Sequence, residues 1–320
     1  MSRFARFAAV CCFTCALFNG AAAGQAYPVK PIRFIVPFTP GGGTDLIARI
    51  IGQKLNEAFA QPVIVDNRPG AGSTIGTALV AMAPPDGYTL LMSSISIAFD
   101  TTLYKNLSYD PSRDLAPVSL VATQPNVVVV NPSLPVKSIS ELIALAKAKP
   151  ASINYASAGI GSGPHLATEL FKQMAAIDLT PVNYKGTGPA LNDLLGGQVQ
   201  MMMGVVASTI PHVKTGRLRA LAVTGNARSA TLPDVPTVAE SGVPGYEFNT
   251  WYGIQVPAKT RRATVDRLNR EVGRIVDMAD VRERFASAGL EPLSSTPDAF
   301  GALISAEIVK WSKVAAFIAP

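Results

Sequence analysis

Apolar positions recur along this chain with two spacings that alternate. "IRFIVPF" (residues 32–38) is a continuous apolar run of strand length, whereas residues 45–60 place Leu46, Ile47, Ile50, Ile51, Leu55 and Phe59 at helical spacing. "PVIVDN" and "YTLLMSS" predict further strands, and between them "RPGAGSTIGTALVAMA" leads a glycine loop into a helix. The pattern then restarts. "NVVVVN" predicts a strand, "SISELIALAKAKP" a helix with Ser138 or Ser140 as N-cap, and "INYASAG" another strand. "GIGSGPHLATELFKQMA" and "TPVNYKGTGPALNDLLGGQ" each pass through glycines into a helix, with Pro164 and Pro189 in the opening turns. "VQMMMGVV" and "LRALAVTG" close this half. Beyond about Arg228 the chain is looser and proline-rich, and it ends in amphipathic helices such as "TPDAFGALISAEIVKWSKVAAFI", read as packing elements.

Strands alternating with helices imply crossover units, and hence an α/β fold built on parallel, doubly wound sheet in each half. Two lobes with their glycine loops facing one another would enclose a cleft lined by backbone N–H groups. Open α/β sheets bind ligands at that place, outside the carboxyl ends of the strands.

Composition adds an exported character. Arg3 and Arg6, the apolar run Ala8–Phe18 and the small-residue stretch "NGAAAGQA" predict a secretory signal peptide over residues 1–23, with cleavage after Ala23 or Ala26. All three cysteines, Cys11, Cys12 and Cys15, fall inside it. The mature chain is therefore expected to have no disulfide, no thiol nucleophile and no zinc–thiolate site. Losing the two arginines lowers the net charge by two from +6, leaving a mild, scattered excess that speaks against nucleic-acid binding. At 320 residues, 48% hydrophobic and 16% charged, the chain has material for two packed domains.

Chemistry concentrates in the glycine loops. In "PGGGTD" (residues 40–45) three glycines precede a helix start, an arrangement that lets an anion approach backbone N–H groups. The lysine of a phosphate loop is missing and the spacing is not G-x-G-x-x-G, so a carboxylate fits better. The alternative is a tight turn with Thr44 or Asp45 as a cap; beside an anion, Asp45 suits capping or water-holding better than direct contact. The loop Ser157–His165 could hold a second polar end of the same ligand or be an ordinary helix entry, and His165 reads as a hydrogen-bonded structural residue. In "YKGTGP", Lys185 could attract an anion and Tyr184 offers a hydroxyl or a ring wall, although a loop lysine is commonly just solvated. "QMMMGVV" reads first as a buried strand, ahead of a methionine-lined site. H-E-x-x-H and G-x-S-x-G are both absent, so an enzyme, a secreted α/β hydrolase or lyase acting on a small organic acid, is the losing alternative.

From about Tyr27 onward the blocks "YPVKPIRFIVPFTPGGGTDLIAR", "VIVDNRPGAGSTIG", "APPDGYTLLM", "INYASAG", "YKGTGPALNDLLGGQVQ", "GRLRALAVT" and "LPDVPTVAESGVPGYE" appear in order. In this the chain resembles Bug-type receptors, the periplasmic solute receptors of tripartite tricarboxylate transporters. The resemblance implies a two-lobed, type II periplasmic-binding-protein-like fold, each lobe a mostly parallel sheet flanked by helices. Lobe 1 would comprise residues 27–126 and 226–320, lobe 2 residues 127–225, with hinges near Asn126 and Thr224. It implies a monomeric clamp in the periplasm that closes on a small organic carboxylate and hands it to membrane permease subunits, with no cofactor.

The same resemblance implies ligand contacts from Phe38, Pro40, Gly41, Gly42, Gly43, Thr44, Asp45 and Ser94 in the first lobe. From the second lobe it implies Ala158, Gly159, His165, Tyr184 and Lys185. One departure stands out: Met203, Gly204 and Val205 occupy the place of the family's Phe-Asp-Asn. Without that aspartate an amino-acid ligand is disfavoured. Gly204 is expected to free volume and Met203 and Val205 to make the wall more apolar, favouring an acid with an apolar or aromatic body.

Overall fold

The computed structural model describes residues 27–104 and 106–315, so the predicted signal peptide and its cysteines lie outside the described residues. The first part of the chain runs β1 (Ile32–Val36), α1 (Gly43–Phe59), β2 (Val63–Asn67), α2 (Thr74–Ala81), β3 (Thr89–Ser94) and α3 (Asp100–Leu103). β4 (Leu115–Val130) is followed by α4 (Ile139–Ala148), β5 (Asn154–Ser157), α5 (Gly163–Ala175), β6 (Thr180–Asn183) and α6 (Thr187–Leu195). Next come β7 (Met201–Val205), α7 (Val206–Lys214), β8 (Arg219–Val223) and β9 (Asn249–Pro257). The chain closes with α8 (Arg262–Val276), α9 (Ala279–Ser287), β10 (Glu291–Pro292) and α10 (Pro297–Ala315).

The apolar spacing explains the packing. α1 turns Ile47, Ile50, Ile51 and Leu55 inward, where they join Phe34 and Val36 of β1 and Ile254 of β9 in one core. A second core forms where Ala190, Leu191 and Leu194 of α6 meet Val127, Val129 and Met202. The third and largest cluster joins both halves: Trp311 of α10 stacks on Phe99 and Phe248, with ring centroids 4.9 and 5.6 Å apart.

The sheet order is β2-β1-β3-β9-β4-β7-β5-β6, with β8 and β10 also pairing β4. β1 pairs β2 and β3 in parallel, and β5 pairs β6 and β7 in parallel, as the strand–loop–helix repeats predict. The two parallel groups are joined by antiparallel β4 and β9, which that pattern does not signal. β4 is much longer than the predicted "NVVVVN". Its first part pairs β9 as far as Pro125, and from Asn126 it pairs β7. Pro117 sits where the register shifts, a place where a missing N–H costs little.

β9 was not predicted at all, since the stretch beyond Arg228 reads as loose chain. It is nearly continuously buried, so it lacks the polar–apolar alternation that marks a half-exposed strand. The chain passes between the lobes at Pro125–Asn126, at Thr224 and again at Phe248–Thr250. Within residues 226–248, given to the first lobe on sequence, two contacts reach the second: Val223 bridges Thr237, and the Tyr246 hydroxyl donates to the Ala167 carbonyl at 2.8 Å.

Candidate binding cleft

A cavity of about 30 Å³ lies between the lobes, lined from the first by Phe38, Gly42, Gly43, Thr44 and Ser94 and from the second by Ala158 and Ser162–Pro164. Thr187, Val205, Thr250 and Tyr252 complete it. That volume holds about one water. The lobes are drawn together around it. A β-carbon on Gly42 would stand 3.2 Å from Thr187 Oγ1, one on Gly186 would overlap Thr39, and one on Gly72 would overlap the Ile160 carbonyl oxygen. Tyr104 hydroxyl also reaches the Ile160 carbonyl, at 3.4 Å.

Four helices begin at this cavity, with N-cap residues Gly42 (α1), Ser162 (α5), Gly186 (α6) and Val205 (α7). Only Ser162 caps with its side chain, accepting from the His165 N–H at 3.4 Å. The other three leave their first-turn N–H groups to whatever occupies the cleft. Each helix start is equivalent to roughly half a positive charge. Among the described residues no charged side chain lines the cavity, and the Thr44 and Thr187 hydroxyls find no hydrogen-bond partner there. The donors are neutral and fixed, which suits a compact, singly charged oxygen anion. No group of three His, Cys, Asp or Glu that could hold a metal ion occurs among the described residues.

Several residues implied by the resemblance support the cleft without lining it. Asp45 faces away from the cavity and accepts from Gly41 N–H at 3.1 Å, Arg49 Nε at 3.0 Å and Asn67 Nδ2 at 3.0 Å. Burial alone would raise its pKa, but these bonds outweigh burial and hold the carboxyl below its ordinary value. It therefore fixes the glycine loop in its ionised form. His165 is buried under the opposite loop, its Nδ1 accepting from Gly161 N–H at 3.3 Å, and burial lowers its pKa so that it stays neutral.

Tyr184 donates to Asp193 at 2.7 Å, and Lys185 is exposed. Pro40 and Gly41 are exposed at the rim, and Gly159 lies behind it, its β-carbon position 3.2 Å from the Tyr184 carbonyl oxygen. Gly204 does not free volume as expected: the Thr209 methyl fills the space its side chain would take. Met203 is buried in the core with its sulfur 3.5 Å from the Tyr246 hydroxyl, so of the three departing residues only Val205 reaches the cavity. Ser162, Gly163, Pro164 and Thr187 fall in loops the sequence marks, while Thr250 and Tyr252 come from the unpredicted β9.

A two-lobed α/β frame with an uncharged, donor-lined cleft between its lobes defines a solute receptor. Residues 47–318 match the tripartite tricarboxylate transporter family receptor, and the chain belongs to that family. It is 40% identical to the protein BugT of Bordetella pertussis over 292 residues, covering 91% of this chain and 90% of BugT. Among solved structures it is similar to Rpa4515 of R. palustris with adipate, at 37% identity and a TM-score of 0.88, covering 91% of this chain and 98% of that one. It is also similar to MatC from Rhodopseudomonas palustris with bound malate, at 32% identity and a TM-score of 0.86, covering 90% and 100%.

Proposed function

We propose that this chain is the periplasmic receptor that captures a small organic carboxylate between its lobes and presents it to the membrane subunits of a tripartite transporter. The observation that carries the reading is the meeting of four helix N-termini, three without a capping side chain, at a cavity with no charged side chain. The adipate and malate held by the two similar structures support the ligand class.

A cavity of about 30 Å³ is too small for an acid of several carbons, so binding requires the lobes to part and close again. We assign the hinge to the three crossings at Asn126, Thr224 and Phe248, with residues 226–248 moving with the second lobe. The receptor acts as an exported monomer and releases its ligand unchanged. His165, with one ring nitrogen committed to the Gly161 amide, supports binding over a hydrolase reading.

Among the described residues no acidic side chain lines the cavity to balance an ammonium group, and Val205 adds apolar surface. The ligand is therefore a dicarboxylate or an acid with an apolar or aromatic body, ahead of aspartate or glutamate. The test is isothermal titration of the cysteine-free chain from Tyr27 with adipate, malate, benzoate and glutamate, followed by recovery of the bound acid. Tight binding of one of the first three with no turnover is the expected result. Preference for glutamate overturns the ligand class, and conversion of the ligand overturns the receptor reading.

A further inference from the structure

β9 lays two side chains on one face across the floor of the cleft. A β-carbon on Gly163 would fall 2.8 Å from Thr250 Oγ1, and one on Gly43 would fall 2.5 Å from the Tyr252 hydroxyl oxygen. Each hydroxyl thus crosses the start of one of two facing helices, α5 and α1. Their protons are placed differently. Thr250 donates to Asn126 Oδ1 at 2.8 Å. Tyr252 instead accepts from Gln124 Nε2 at 3.1 Å, and its own proton has no acceptor among the described residues. Burial pushes the Tyr252 pKa up, so the hydroxyl keeps that proton.

Gln124 is only 1% exposed, and its side-chain carbonyl oxygen has no partner among the described residues. A buried amide left half satisfied lowers stability where a methionine of similar size would not. Its one side-chain hydrogen bond among the described residues is to Tyr252. A function for Gln124 therefore runs through Tyr252.

We propose that Tyr252 donates to the ligand carboxylate seated at the α1 end of the cleft. Gln124 is its positioning residue: by occupying the hydroxyl's lone pair it turns the proton into the cavity and makes the wall read an ionised carboxylate in preference to its amide. This rests on the carboxylate reading above. The α1 end then offers backbone N–H groups, the Tyr252 proton and the Thr44 hydroxyl, of which only the Thr44 hydroxyl can turn to accept. A carboxylate brings two acceptor oxygens to them. An amide brings two NH₂ protons to an end where the Thr44 hydroxyl is the one side-chain acceptor, so a donor stays unpaired, and a buried unpaired donor is costly. Freed of Gln124, the Tyr252 hydroxyl could rotate and accept from that NH₂ group.

The experiment titrates wild type, Tyr252→Phe, Gln124→Met and the double variant with adipate, succinate, malate and benzoate, and with the amide of each. Tyr252→Phe should weaken carboxylate binding by roughly tenfold to a hundredfold, the range for a hydrogen bond to a charged group. Gln124→Met should weaken it less, and the double variant should be no worse than Tyr252→Phe alone, since both changes remove one interaction. Gln124→Met should also narrow the carboxylate-to-amide ratio, a shift that a packing role would not produce and that is readable even if Tyr252→Phe fails to fold. Losses that add, an unchanged ratio in Gln124→Met, or a Tyr252→Phe that binds like wild type overturns this inference alone. Wild type binding none of the four acids overturns the carboxylate reading and this inference with it.

Discussion

The Thr224 hydroxyl oxygen lies 2.6 Å from the backbone nitrogen of Asn126. It accepts from that N–H and lies 2.7 Å from the Phe248 carbonyl oxygen, to which it donates. One fully buried side chain therefore joins all three strands that pass between the lobes. Asn126 extends the tie by donating to the Met203 carbonyl at 3.1 Å and accepting from Thr250 at 2.8 Å. Thr224→Val keeps the shape and removes both bonds, taking from the Asn126 N–H the hydroxyl oxygen it donates to. It should lower stability by about 1–3 kcal/mol. Urea unfolding of the ligand-free protein measures this, and a change near zero would show that the crossings are held by other contacts.

Gly186→Ala tests closure. Its β-carbon would overlap the Thr39 hydroxyl and lie 2.9 Å from the Thr39 backbone nitrogen, across the seam between the lobes. Gly186 also holds φ at +158°, where alanine is strained in either form and lowers the stability of the open protein; the clash adds to this only when the lobes meet and should weaken binding by about 1–3 kcal/mol. Small-angle scattering should show the wild type contracting on adding ligand and the variant failing to do so. Equal contraction would mean that the seam closes another way.

Thr44→Ala removes an unpartnered hydroxyl at the start of α1, where the shared carboxylate is proposed to sit. Every carboxylate that binds should lose affinity to a similar degree, about 1 kcal/mol or somewhat more. Calorimetric titration across several acids decides it. A loss confined to one acid would move Thr44 from the carboxylate end to the variable end of the ligand.

Asp100 is 2% exposed, and burial pushes its pKa up from 3.8 to about 7, against the opposing bond from Tyr109. Between those two values the folded state holds more protons than the unfolded one, so stability falls as pH rises through that window. Asp100→Asn keeps an acceptor for Tyr109 without a charge. Its stability relative to wild type should therefore climb from pH 4 to pH 7. Thermal unfolding of both proteins across that range provides the comparison, and parallel curves would mean Asp100 is ionised in the folded protein.

The strand–glycine–helix units were legible because their apolar spacing is imposed by packing on one side of a sheet. "IRFIVPF" followed by "PGGGTDLIAR" declares both β1 and an uncapped helix start. Thr250 and Tyr252 were not legible, because β9 is buried on both faces and its two cleft residues lie among apolar neighbours that break any alternation. Gly204 misled for a related reason. An absent side chain suggests space in a sequence, but the space belongs to whichever neighbour reaches it first, here Thr209 from the next helix. Asp45 and His165 sit in the right loops, yet only three-dimensional placement shows that each bonds backward to its own loop and not forward to the cleft.

The three helix starts without capping side chains also fix how the receptor responds to acid. Peptide dipoles hold their orientation at any pH at which the fold survives, burial keeps the proton on Tyr252, and the Asp45 carboxyl behind the glycine loop is held below the ordinary carboxylate range, so the cleft's attraction for anions does not itself titrate while the captured acid is charged. Capture should then follow the titration of the acid being captured, fading only near pH 4, where carboxylates themselves become neutral. A protein working in a compartment open to its surroundings gains from this a grip set by the solute's chemistry and indifferent to the medium's acidity.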